Sequence, residues 1–178
     1  MAALPSLSES ARADAPLSVA GGSARMGERL RALLELCPAE GAVADIGSGH
    51  GRLALELKRR SPHRVVFATE INPGPTGELR RLLGSTPGVE ILEGEGLGPL
   101  LGRDCRGAVI AGLGGVSIAQ MLERDSAIAR RLDWLCLQPA QRAERLRDWL
   151  EAVGWVLRAH RQVTEKAHLY QLFLVTPP

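Results

Sequence analysis

The sequence predicts an α/β fold, in which a parallel sheet is covered by helices on both faces and ended by an antiparallel hairpin. Three observations point to it. Apolar runs alternate with stretches whose leucines recur at helical spacing. The first apolar run opens into a glycine-rich loop, within "VADIGSGHGRLALEL", Val43 to Leu57. The last two strand-like runs are joined by a polar link too short for a helix, which demands an antiparallel pair.

The elements follow in chain order. Residues 1–24 are rich in Ala, Ser and Pro and lack a basic start followed by an apolar segment, so they read as a flexible tail rather than a secretory signal. Order is expected over 25–178 as one domain. Leu30, Leu33, Leu34 and Cys37 share one face of a helix that Pro38 ends. "AVADIG" is the first strand, and Leu53, Ala54 and Leu57 begin the helix beyond the glycine loop. "RVVFATE" is the second strand, followed by a helix carrying Leu79, Leu82 and Leu83. "GVEILEGEG" and "GAVIAGLGG" are the third and fourth. Ile118, Met121, Leu122, Ala129 and Leu132 are expected along one helix face, before a fifth strand "WLCLQP" and a helix with Leu146, Trp149, Leu150 and Val153. "WVLRAHRQV" and "LYQLFLV", linked by Thr164 to His168, close the sheet at its edge.

Composition bounds the possibilities. A chain of 178 residues with 45 % hydrophobic content can bury its own core. Aromatics are 3 %, so that core must be built from Leu, Val, Ile and Ala. A net charge of +2 does not by itself indicate a nucleic-acid partner. Cys37, Cys105 and Cys136 are odd in number and far apart, which suggests neither a disulfide framework nor a zinc site; no metal is expected. No apolar run approaches the ~20 residues of a membrane span, so no membrane partner is expected and a cytoplasmic location is.

The glycine spacing discriminates among ligands. A glycine loop between strand and helix brings backbone N–H groups and a helix N-terminus close to a bound molecule. Nicotinamide dinucleotide sites want G-x-G-x-x-G, whereas Asp45, Gly47, Gly49 and Gly51 form D-x-G-x-G-x-G. A P-loop lysine motif is absent. Glu70, at the end of the second strand, is placed to accept hydrogen bonds from two ribose hydroxyls, with Ile71 and Asn72 beside it. An acid at the end of the third strand, Glu93 or Glu95, is placed to meet an adenine amino group.

This loop resembles the first motif of class I S-adenosylmethionine (SAM)-dependent methyltransferases, whose sheet also ends in an antiparallel hairpin. "VADIGSGHG", "TEINPGP", "EGEGL", "VIAGLGG", "LQPA…LRDWLEAVGWVL" and "TEKAHLYQLFLV", in that order, resemble the bacterial TrmK family of tRNA (adenine(22)-N(1))-methyltransferases from about Met26 to Pro178. The resemblance implies a Rossmann-like sheet, SAM as cofactor, tRNA as partner and methylation of adenine N1. It implies a cofactor pocket of Asp45, Gly47, Ser48, Gly49, His50, Glu70, Ile71, Asn72, Glu95, Gly96, Gly112 and Leu113. Gly114, Gly115 and Pro139 would border the incoming base, with His50 and Gln138 as catalytic candidates.

Two departures from the family pattern stand out. The family carries Asp where this loop has Gly49, so a carboxylate is missing beside the acceptor. Family members also continue into a C-terminal helical domain that helps grip tRNA, whereas this sequence ends at Pro178. Phosphate contacts are then expected from Arg25, Arg29 and Arg31 or from Arg142, Arg145 and Arg147, although Glu144, Asp148 and Glu151 interleave the second set as on a solvated helix face. Other readings are a methyltransferase for another RNA or a small molecule, and a SAM-binding interaction protein without catalysis.

Overall fold

The computed structural model describes residues 26–178. The expected tail over 1–24, and Arg25, lie outside the described residues. Helix α1 (Glu28–Leu36) precedes strand β1 (Val43–Ile46). Four further strands follow, β2 (Val66–Glu70), β3 (Val89–Glu93), β4 (Gly107–Ala111) and β5 (Trp134–Gln138). Between them run helices α2 (Arg52–Arg60), α3 (Pro73–Leu83), α4 (Gly115–Arg124) and α5 (Ser126–Ala129). Helix α6 (Ala143–Ala152) and strands β6 (Val156–Glu165) and β7 (His168–Thr176) complete the chain. The sheet order is β3-β2-β1-β4-β5-β7-β6, parallel over β1 to β5 and antiparallel where β7 meets β5 and β6. The last strand thus inserts beside β5 and leaves β6 on the edge. This is the Rossmann-like methyltransferase sheet.

Alternation along the strands divides the core into two layers. Ala44, Ile46, Ala108, Ile110, Leu135 and Leu137 face one side with α4, α5 and α6. Val43, Val66, Ala68, Val109, Trp134 and Cys136 face the other with α1, α2 and α3. Each fully buried Leu or Ile contributes about 2 kcal/mol, so this layering and not the sparse aromatics holds the sheet. Gly107 pairs across the sheet with Trp134, and a Cβ on it would lie 2.1 Å from the indole ring. Among the described residues, no helix is long and apolar enough to cross a membrane and no group of His, Cys, Asp and Glu is arranged to hold a metal.

The structure differs from the sequence reading at three places. The single helix face expected from Ile118 to Leu132 breaks at Asp125, where φ is −97° and ψ 25°. Asp125 there directs a carboxylate oxygen to the Leu97 N–H at 2.8 Å and also pairs with Arg124, tying the helix end to the loop after β3. The hairpin link is shorter than Thr164–His168. Only Lys166 and Ala167 lie outside the strands, both at positive φ, 48° and 62°. Such a two-residue turn matches the twist of paired strands and lets β6 run on to Glu165.

Arg64, read as the start of a strand, closes a loop instead. It is buried and donates to the carbonyls of Pro38, Glu40 and Gly41 at 2.9–3.0 Å, which fixes the entry into β1.

Candidate active site

The site lies at the C-terminal ends of the parallel strands, where open α/β sheets bind ligands. The β1–α2 loop forms one wall. Asp45, Gly47, Ser48, Gly49 and His50 border a cavity of about 490 Å³ there. Ala111 at the end of β4, Gly112 just beyond it and Gln138 at the end of β5 also line it, and so do Arg29, Leu30 and Leu33 of α1. Glu165 and Lys166 reach it from the hairpin.

The glycine loop is held by the neighbouring strand. Gly47 N–H donates to Thr69 Oγ1 at 3.3 Å, Ser48 N–H to the Thr69 carbonyl at 2.8 Å, and Gly49 N–H to Glu70 Oε2 at 3.1 Å. These three amides therefore point at β2. The loop offers a ligand bare backbone surface, not the free N–H donors expected at those positions. Gly49 and Gly112 both have positive φ, 55° and 80°, and open space lies where their side chains would project. Both border the cavity.

Glu70 does not border the cavity itself but is tied to its wall through Gly49. Its Oε1 accepts from the backbone N–H groups of Ile71 and Asn72, each at 2.9 Å, and from Asn72 Nδ2 at 3.1 Å. Burial pushes its carboxyl up, but the N–H groups of Asn72, Gly49 and Ile71 outweigh this and hold it below the usual value. Glu70 is thus anionic at neutral pH. Among the described residues its Oε2 holds only the Gly49 bond, which leaves acceptor capacity for a hydroxyl.

Asp45 behaves differently. It is 3 % exposed, and its Oδ2 accepts from Ser48 Oγ at 2.5 Å and Ala54 N–H at 3.2 Å. Burial raises its carboxyl to about 6, against the lowering effect of these two bonds and with a further push from Glu70. The folded chain therefore keeps a proton that the unfolded chain releases from about pH 4 upward. The contribution of Asp45 to stability is greatest below that pH, falls between about pH 4 and 6, and stays low above; the fall is on the order of 3 kcal/mol. Asp45→Asn keeps an oxygen for both donors. Urea denaturation across pH 4–8 is expected to show the variant equal to wild type near pH 4 and more stable at pH 8.

The other predicted residues are spread around the strand ends. His50 is exposed and its Nδ1 meets Glu78 on α3, so it borders the rim. Ile71 and Asn72 lie on an exposed shelf beside Glu70. Glu95 and Gly96 do not border the cavity. Glu95 is instead ion-paired with Arg124, and Gly96, at φ 60°, packs against Arg124 and Asp125. Leu113, Gly114, Gly115 and Pro139 lie at the turns out of β4 and β5. There the two chains stay paired through Gly112 N–H to the Gln138 carbonyl, 3.0 Å, and Ala140 N–H to the Leu113 carbonyl, 2.7 Å. A Cβ on Gly115 would sit 2.4 Å from the Arg142 carbonyl, so its glycine serves close backbone packing. Gln138 is buried, donating to the Pro139 carbonyl at 2.8 Å and accepting from Arg29 Nη1 at 3.3 Å.

Sequence reasoning missed Glu165 and Lys166, and set Arg29 only among phosphate contacts. Glu165 lies in the closing run that carries the family resemblance, but its place in the site depends on β7 inserting beside β5 and carrying the hairpin end over α1. Of the second basic set, Arg147 pairs with Asp148 at 3.8 Å.

Comparison with known proteins is consistent with this geometry. A family model described as "Methyltransferase domain" matches residues 26–173. A Mycoplasma pneumoniae protein named "Putative tRNA methyltransferase" is 32 % identical over 136 residues, covering 75 % of this chain and 62 % of that protein. The Bacillus subtilis tRNA (adenine(22)-N(1))-methyltransferase is 27 % identical over 153 residues, 84 % of this chain and 64 % of its own. The chain thus spans less than two thirds of the length of these two relatives. Sp1610 of Streptococcus pneumoniae, solved in complex with S-adenosyl-L-methionine, superposes with a TM-score of 0.77 at 26 % identity, covering 86 % of this chain and 73 % of that one. With its family model matched over most of its length and its sheet and loop arranged as described, the chain belongs to the methyltransferase-domain family.

Proposed function

We propose that this chain is a SAM-dependent methyltransferase of the TrmK type that methylates N1 of an adenine in tRNA. One observation carries the cofactor part: Glu70, ordered by four N–H bonds, is tied to Gly49 on the rim of a cavity lined by Gly112. That joins a ribose acceptor to a bare glycine cradle in one rigid unit. SAM is the cofactor, and it supplies an electrophilic methyl group whose bonding electrons stay on sulfur when the methyl leaves. The protein's task is alignment. Glu70 Oε2 accepts a ribose hydroxyl, and Asn72 flanks it. Glu95 and Gly96 mark the adenine end, where Arg124 shares the Glu95 carboxylate. Gly112, Leu113 and Gly114 leave a flat approach for a base, with Pro139 beside it and Gln138 beneath. The tRNA part rests on the sequence resemblance and on the likeness to the Bacillus subtilis enzyme.

The test is incubation of the full chain with SAM and unmodified bulk tRNA, followed by nucleoside digestion. 1-Methyladenosine above background supports the proposal. SAM binding with no methylated nucleoside contradicts the tRNA assignment. A second reading, methylation of another RNA or a small molecule, is favoured by one observation: Gly49 and the exposed His50 leave the loop without a carboxylate toward the acceptor.

A further inference from the structure

We infer that Glu165, at the end of β6, is the carboxylate that faces the methyl acceptor and stabilises the positive charge it gains. This rests on the methyltransferase reading above. Methylation converts a ring-nitrogen lone pair into an N–CH3 bond, so the acceptor leaves with one added positive charge and no proton has to move. A carboxylate near that ring lowers the energy of the charged state most where water is scarce.

Among the described residues that border the cavity, only two carry carboxylates, Asp45 and Glu165. Asp45 is buried, committed to Ser48 and Ala54, and raised toward neutrality. Glu165 is the open one. Its side chain is 25 % exposed, and among the described residues it accepts a single long bond, from the Arg29 N–H at 3.5 Å. Arg29 Nε stands 3.9 Å from Oε2, an ion pair without a hydrogen bond, since the guanidinium makes its close contacts elsewhere. It donates to Gln138 Oε1 and lies 4.9 Å above the Tyr170 ring. Most of the acceptor capacity of Glu165 is therefore free.

The placement has a second mark. A Cβ on Gly27 would lie 2.0 Å from Glu165 Oε1. Gly27 has φ −63° and ψ 157°, an extended conformation any residue adopts, so glycine there answers to space and not to backbone freedom. The missing side chain is what lets the carboxylate rest where it does. Lys166, next in the chain, also borders the cavity, so an anion at this end is the competing outcome.

The test uses the full chain saturated with S-adenosylhomocysteine and titrated calorimetrically with 1-methyladenosine, a cation at neutral pH, and with neutral adenosine. Wild type is expected to bind the cation about tenfold or more tightly than the neutral nucleoside. Glu165→Gln is expected to abolish that preference while S-adenosylhomocysteine affinity stays within about twofold. Gly27→Ala retains the charge but displaces it, and is expected to reduce the preference too; the clash is with a flexible side-chain end, so folding is spared. No preference in wild type, a preference untouched by both variants, or equal loss of S-adenosylhomocysteine binding in Glu165→Gln overturns the assignment. A chain that shows the Glu165-dependent preference yet makes no 1-methyladenosine in tRNA upholds this inference and refutes the tRNA reading.

Discussion

Glu70→Ala weakens SAM binding by about tenfold to a hundredfold, read by calorimetry at a temperature where the variant is folded. Two losses add. The ribose loses its charged acceptor, and the N–H groups of Gly49, Ile71 and Asn72 lose their shared partner. The second loss removes the Gly49 bond, one of three that tie the glycine loop to β2, so the cavity end of the cradle is less firmly set before the ligand arrives. Glu70→Gln discriminates charge from shape. A Gln amide has one oxygen in place of two, so one end of the side chain presents N–H to donors that already lack an acceptor. The Gln variant is therefore expected to lose affinity nearly as far as the Ala variant. A Gln variant with wild-type affinity would show that the carboxylate is not what the sugar meets.

Gly51→Ala lowers stability by about 2–4 kcal/mol, or near 10 °C in Tm. Gly51 has φ 75°, which costs a residue with a side chain roughly 1–2 kcal/mol. Its Cβ would also lie 2.7 Å from Leu79 Cδ2 and 2.9 Å from Leu83 Cδ1. Both leucines are fully buried, so neither can swing away without opening the layer between α2 and α3. Thermal unfolding followed by circular dichroism measures the loss. The same change at Gly74, with nothing within 4 Å, is a control expected to leave Tm within about 2 °C. The third glycine of the loop thus serves helix packing, while Gly49 serves the cavity.

Much of this was legible from residue order. The strand–helix alternation, the two buried faces and the closing hairpin follow from period and spacing, because burial on a sheet repeats every second residue. The glycine loop and Glu70 were legible because both lie at strand ends. Side-chain partners across the fold were not. Arg124 taking Glu95, and Asp125 breaking a helix to hold the Leu97 N–H, join residues far apart in sequence. Glu165 was hidden for the same reason, since its place depends on β7 inserting beside β5. The direction of the loop amides was also hidden: spacing reveals a glycine turn but not which side its N–H groups face.

The most direct measurement is a crystal structure of the full chain with S-adenosylhomocysteine. The account predicts a ribose hydroxyl within hydrogen-bond distance of Glu70 Oε2 and the sulfur over Gly112, next to the space that Glu165 borders. Clear density for the compound away from Glu70, or a cavity left empty at saturating concentration, would contradict it.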